Sequence, residues 1–200
     1  MSSETPFVPK ISIGLVHYPI VDREKKIVAT NVTNFDIHDI ARASTVYGVE
    51  RYYIVHPMNE QLMFVERILD HWRTGQGSKF NPSRKMALDP VRTAKDLETA
   101  IADWKKNTQW GDEEPIVIAT HARAVNGAKA LTFQGAREIL FDQKRPVFVV
   151  FGTGFGLTDE FMKNCHYVLD GIKGAPPKDF RHLSVRSAVS ICLDRLLGPW

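Results

Sequence analysis

Three alternate glycines, Gly152, Gly154 and Gly156, follow a run of apolar β-formers from Val147 to Phe151. Missing side chains at alternate positions of one turn let a ligand meet the backbone with no Cβ in the way. The apolar run reads as a strand covered on both faces. Thr158 can cap the helix that follows, with Asp159 and Glu160 in its first turn. A phosphate-binding turn leaves the positive helix end to the anion. Here carboxylates occupy it. The turn also lacks the third glycine of the dinucleotide fingerprint and comes late in the chain. These residues point to a neutral or cationic ligand carrying an adenosine. Taken alone, they fit a tight turn without a ligand equally well.

A second stretch, Asp170 to Ser184, links an apolar strand to a capped helix through glycines and prolines. Its backbone can offer N–H and C=O groups to an adenine edge, while Ile172 and Leu183 sandwich the ring. Ser184, Ser187 and Ala188 keep the helix start small, so another segment can approach closely. An ordinary long connection with a cap is the plain alternative. A third loop, Thr120 to Arg123, closes another expected strand.

The elements that must position these loops alternate along the chain. Strands are predicted at Ile11–Val16, Tyr52–Val55, Ile116–Ala119, Val147–Phe151 and Tyr167–Leu169. The spacing predicts a helix after Thr33-Asn34 with Ile37, Ile40, Ala41 and Ser44 on one face, closed by Gly48. A second helix follows Asn59 with Leu62, Val65, Leu69 and Trp72. Gly75 to Pro90 reads as a polar loop with a short edge strand at Met86–Leu88. A third helix carries Leu97, Ala100, Ile101 and Trp104, and 107–114 is a polar connection. A short helix spans Thr132 to Leu140, and another runs from Thr158 to about Asn164. The last helix starts at Ser184 and buries Ala188, Ile191, Cys192 and Leu196. Such alternation predicts an α/β fold, a mostly parallel sheet with helices on both faces. Ligands on such sheets bind at the carboxyl ends of the strands, where all three loops lie.

Composition narrows the class. Two hundred residues with 44% hydrophobic content suit one domain with a sizeable core. A net charge of +3 is only weakly suggestive of a polyanionic partner. The two cysteines, Cys165 and Cys192, form no CxxC and suggest a reducing compartment. Seven histidines show no HxxxH or HExxH spacing, so no metal is expected. With no apolar signal core and no bilayer-length apolar run, a cytoplasmic protein is expected.

Gly152-Thr-Gly-Phe-Gly-Leu157 and, further on, His182-Leu-Ser-Val-Arg-Ser-Ala188 resemble two signature motifs of the SPOUT (SpoU–TrmD) RNA methyltransferases. Asp36-Ile-His-Asp-Ile-Ala-Arg-Ala-Ser-Thr-Val-Tyr-Gly-Val49 is similar to that superfamily's first motif. The three stand in the family's order and cover most of the chain. The match is nearest to a small uncharacterised bacterial branch consisting of the catalytic domain alone.

The resemblance implies one methyltransferase domain over 1–200, with a deep trefoil knot from about residue 115. It implies S-adenosyl-L-methionine bent in the knot, a homodimer paired across it, and tRNA or rRNA as substrate. Carried onto this chain, the cofactor contacts fall on Thr120, His121, Gly152, Thr153, Gly154, Phe155, Gly156, Ile172, Gly174, His182, Leu183, Ser184 and Ser187. Arg42 falls where one branch places a catalytic arginine. The family's helix-start asparagine falls at Asp36, a departure, with Asn34 the alternative if the register slips. Asp179 corresponds to the region where the guanine-N1 branch places an acid. The plain readings are a solvated or dimer-bridging Arg42 and a solvated Asp179. Lys79, Arg84 and Lys85, with Arg73 and Phe80, suit phosphate contact plus base stacking, or simply a solvated loop. Two other classes compete with the enzyme: a non-catalytic RNA-binding or ribosome-associated module retaining the pocket, and a doubly wound nucleotide-binding enzyme.

Overall fold

The computed structural model describes residues 7–108, 110 and 113–199, so part of the expected polar connection at 107–114 lies outside the described residues. The strands are β1 (Ile11–Val16), β2 (Ile20–Val21), β3 (Ile27–Val28), β4 (Tyr52–Val55), β5 (Val91–Ala94), β6 (Ile116–Thr120), β7 (Ala130–Leu131), β8 (Val147–Gly152) and β9 (Tyr167–Leu169). The helices are α1 (Asn34–Val46), α2 (Asn59–Arg73), α3 (Gln76–Phe80), α4 (Pro82–Leu88), α5 (Leu97–Asn107), α6 (Phe133–Arg137), α7 (Asp159–Lys163) and α8 (Val185–Leu197).

Seven strands form one sheet in the order β5-β4-β1-β8-β6-β9-β7, and every pairing in it is parallel. A separate antiparallel pair, β2 and β3, makes a small hairpin. From β1 the chain first builds outward through β4 and β5, then continues on the far side of β1. The order therefore reverses between β1 and β8, the place where a parallel sheet opens a crevice at its carboxyl ends.

Side-chain alternation divides the core between the two faces. Ile11, Ile13 and Leu15, Tyr52 and Ile54, and Val147, Val149 and Phe151 pack on one side against α1, α2, α6 and α8. Val16, Tyr53, Val55, Phe148 and Val150 pack on the other with Ala100 and Trp104 of α5 and Met162 of α7. Each large apolar side chain so enclosed contributes about 1.5–3 kcal/mol relative to exposure. Tyr52 donates from its hydroxyl to the Asp36 carbonyl at 3.2 Å, pinning the start of α1 over the sheet.

The segment 75–90 departs from expectation. It is not a loop with an edge strand at Met86–Leu88 but two short helices, α3 and α4. Asn81 caps α4, its Oδ1 accepting from Arg84 N at 3.0 Å, and Pro82 pre-sets the first turn. The edge strand is β5, one element later, paired only with β4. Strands β2, β3 and β7 are two residues each and carry no periodic signal. The helix expected to run to Leu140 is α-helical only over Phe133–Arg137, then widens into a π-helical turn at Glu138–Asp142. The buried face of α8 is Val189, Cys192, Leu193 and Leu196, with Ala188 and Ile191 half-buried at its margins.

Candidate active site

At the carboxyl ends of β6, β8 and β9 lies a cavity of about 640 Å³. This is within the ~300–1,000 Å³ usual for small-molecule sites. The glycine turn after β8 forms one wall. Gly156 holds φ at 108°, a backbone that side-chain-bearing residues rarely adopt, and an added Cβ would stand 3.1 Å from His121 Cδ2. The turn is clasped from outside by the β2 segment. Phe155 N–H donates to the Val21 carbonyl at 3.3 Å, and Val21 N–H to the Gly156 carbonyl at 3.0 Å.

The loop from Asp170 to Ser184 forms the opposite wall. Gly171 lies so close to the Thr120–Arg123 loop that a Cβ would be 2.4 Å from the Ala122 carbonyl oxygen. Arg181 ties the two loops together, donating from Nη1 to that same carbonyl at 3.3 Å. Its Nε and Nη2 grip both oxygens of Asp179 at 2.7 and 2.6 Å. The guanidinium holds the Asp179 carboxyl below its ordinary range. Ser184 then caps α8, accepting from Ser187 N at 3.2 Å. The floor is apolar: Phe151, Leu169, Ile172, Leu183, Val185, Ala188 and Cys192. Burial pushes the Cys192 thiol up to about 12, so it packs as an inert apolar group.

The third wall comes from residues 30–36. Thr33 and Asp36 form a reciprocal cap at the start of α1, with Asp36 Oδ2 accepting from Thr33 Oγ1 at 2.6 Å and Thr33 N at 3.1 Å. Asp36 Oδ1 faces Arg186 Nη1 at 3.4 Å, and Arg186 Nε lies 3.5 Å from Asp39. Asp36 is buried, and both its oxygens are engaged. Behind this wall stand His17 and His56, both buried at strand ends. Burial drops His17 to about 4, partly offset by the Asp36 carboxylate.

Most of the residues singled out from sequence line this one cavity: Thr120, His121, the turn from Gly152 to Gly156, Ile172, His182, Leu183, Ser184 and Asp36. Gly174 and Ser187 do not line it. Gly174 packs under the Phe180 backbone, and Ser187 belongs to the α8 cap. Asp179 stands behind Arg181, which does line it. Arg42 sits elsewhere, in a shallow groove between α1 and α8 with Asp39, Val46, Tyr47 and Ser190. In the basic segment, Arg73 is spent on the carbonyls of Leu88, Asp89 and Val91. The Arg84 guanidinium lies over the Trp72 ring at 4.7 Å. Lys79, Phe80 and Lys85 remain exposed. Sequence reasoning missed Thr30, Asn31 and Asp170 as lining residues. Of the two positions considered for the helix-start asparagine, Asp36 lines the cavity and Asn34 does not.

Asp159 and Glu160 do not line the cavity, so they do not bar a phosphate from it. The helix start that does border it is that of α8, which carries no acid in its first turn. What selects the ligand is the set of groups present. An apolar floor beside exposed backbone suits an adenosine. Carboxylates of Asp36 and Asp170 and guanidinium groups of Arg123 and Arg181, all among the lining residues, suit a zwitterionic tail bearing an added positive charge. These groups fit S-adenosylmethionine. Among the described residues, no group of three or more His, Cys, Asp or Glu could hold a metal ion, and no helix is long and apolar enough to cross a membrane.

Residues 10–198 match a family described as SAM-dependent RNA methyltransferase. A tRNA (guanine-N(1)-)-methyltransferase of Nitratidesulfovibrio vulgaris is 40% identical over 185 residues, 92% of this chain. The chain spans only 41% of that protein's length. An uncharacterised protein of Aquifex aeolicus is 37% identical over 94% of this chain and 88% of its own length. Among solved structures, a putative methylase family protein from Neisseria gonorrhoeae superposes with a TM-score of 0.62 at 19% identity, covering 100% of this chain and 87% of that one. The glycine turn, the α8 start and the parallel sheet thus meet a match over nearly the whole sequence: the chain belongs to the SAM-dependent RNA methyltransferase family.

Proposed function

We propose that the chain methylates tRNA, with rRNA the second substrate to assay, and does so as a cytoplasmic homodimer. The observation that carries this reading is the shared cavity, in which the glycine turn and the α8 start face each other across about 640 Å³. The reading places one domain over 1–200 and a trefoil knot over about 115–200. Arg181, which ties the Asp170–Ser184 loop to Ala122, supports that closure. S-adenosylmethionine, when bound, supplies an electrophilic methyl group on a sulfonium.

The bond that forms joins the nucleophile to that methyl carbon. The carbon–sulfur bond breaks with its electron pair left on sulfur, and the nucleophile sheds a proton. The chain's task is alignment and proton acceptance. The glycine turn and the Leu183–Ser184 backbone hold the adenosine. Asp36, which lines the cavity, holds Arg186 behind it. Asp179, ionised beside Arg181 just behind the cavity wall, is the proposed proton acceptor and must turn from Arg181 toward the nucleophile to act. The relatives' names point to N1 of a guanine as the first target to test.

Arg42 lies outside its own chain's cavity. Exposed Val46 beside it and exposed Phe35 on the same helix support pairing of α1 and α8 across a dimer, from which Arg42 reaches the partner's site. Lys79, Phe80 and Lys85 then extend the RNA surface. The test is mass spectrometry of modified nucleosides in tRNA and rRNA from cells with and without the gene. One methylated nucleoside lost with the gene and restored by the purified protein is the expected result. RNA binding without methyl transfer would favour the non-catalytic module.

A further inference from the structure

We propose that His17 and His56 form a buried clasp on Thr30 that fixes the start of α1 against the glycine turn, which makes both histidines positioning residues for methyl transfer. This rests on the function proposed above.

Thr30 is held at every polar atom. Its N–H donates to the His17 carbonyl at 3.0 Å, closing the excursion of residues 17–30 on itself. Its carbonyl accepts from His56 Nε2 at 3.1 Å. His56 Nδ1 already accepts from Met58 N–H at 3.0 Å, so the ring is neutral with its proton on Nε2. The Thr30 hydroxyl stands between His17 Nδ1, 3.0 Å away, and the hydroxyl of Thr153 in the glycine turn. A continuous hydrogen-bonded chain therefore runs from the turn through Thr30 into the core.

Both histidines are buried, and the two rings lie 5.8 Å apart. His17 Nε2 has no hydrogen-bond partner among the described residues. An orphaned polar atom is a cost that an apolar residue at 17 would avoid. What the imidazole adds in exchange is its bond to Thr30. Burial keeps His17 neutral at working pH, so the clasp acts through geometry rather than charge.

The consequence is a fixed spacing between two walls. Thr30 leads directly into Asn31, Thr33 and Asp36, which line one side of the cavity, and Thr153 belongs to the other. In-line transfer is sensitive to small misplacement of the reacting groups. A loosened Thr30 disturbs their alignment while leaving most cofactor contacts in place.

The experiment compares wild-type protein with Thr30→Val, Thr30→Ser, His17→Leu and the double variant His17→Leu/Thr30→Val. It measures kcat for methylation of tRNA from cells lacking the gene, calorimetric affinity for S-adenosylmethionine, and thermal midpoint. Thr30→Val is expected to lower kcat by about tenfold or more, with a much smaller change in cofactor affinity and a midpoint lowered by only a few degrees. Thr30→Ser, which keeps the hydroxyl, should restore turnover. The double variant should be no worse than either single one, because both break the same chain. Should His17→Leu fail to fold, Thr153→Val against Thr153→Ser tests the other end of the chain by turnover at saturating cofactor, which should fall in the first and be kept in the second. Normal turnover in Thr30→Val, equal damage in Thr30→Val and Thr30→Ser, or multiplying losses in the double variant would each overturn the clasp. An inactive wild-type protein would overturn the clasp and the proposed function together, whereas an active wild type with an indifferent Thr30→Val overturns the clasp alone.

Discussion

The walls of the cavity are built in two ways. The glycine turn and the Asp170–Ser184 loop present backbone, and their shape is set by where side chains are missing. Gly156 needs φ at 108°, and Gly171 admits the Ala122 carbonyl where a Cβ would sit. The Thr30–Asp36 wall presents side chains, held by the Thr33–Asp36 cap and by two buried histidines. A wall made of backbone is rigid because alternatives are sterically closed. A wall made of side chains is positioned only as well as the hydrogen bonds behind it. The first suits a cofactor whose place must not vary, and the second suits the side from which a nucleophile must be aligned.

Breaking the backbone wall should have the largest effect. Gly156→Val places a β-branched residue at φ 108° and drives it toward His121. About 3 kcal/mol of strain is expected at such a position, and calorimetry should find S-adenosylmethionine binding weakened by about a hundredfold. The side-chain wall should fail next, and with pH. His17 falls from 6.5 to about 4 in the folded protein, so the unfolded chain takes its proton first as pH drops. Stability is full above pH 6.5 and is lost progressively down to about pH 4, by about 3 kcal/mol from this residue. His56 and His38 are lowered by burial too and add to it with the same sign. Urea denaturation at pH 7.5 and pH 4.5 checks this, and His17→Asn should flatten the dependence.

A smaller effect is expected from Ser184→Ala, which removes the α8 cap and should cost about 1 kcal/mol in the same denaturation assay. The smallest should come from Arg181→Gln. Its pair with Asp179 is solvated and adds little to stability. The thermal midpoint should stay put while cofactor affinity falls modestly, as the loop loses its tie to Ala122.

The contrast between walls also explains what could be read without coordinates. The central strands were legible because β1, β4 and β8 are mostly apolar runs buried on both faces. β5 was not, because Arg92 and Thr93 in its middle are half-exposed and only its ends are buried. The cap at Asn81-Pro82 was a readable signal for α4 that the polar composition of the segment obscured. At the site, the glycine turn and Ser184 were legible because local geometry demands those residue types. Thr30, His17 and His56 were not, because their roles depend on partners 13, 26 and 123 residues apart. Asp36 drew attention as a chemical group, whereas its oxygens serve the α1 cap and Arg186.

The central claim is that the turn at Gly152–Gly156 and the start of α8 together hold S-adenosylmethionine. A crystal structure of the protein grown with S-adenosylhomocysteine tests it most directly. The account predicts one ligand per chain, its adenosine on the apolar floor between the glycine turn and Leu183–Ser184 and its tail toward Arg123 and Asp36. Ligand bound at another place, or none at saturating concentration, would contradict it.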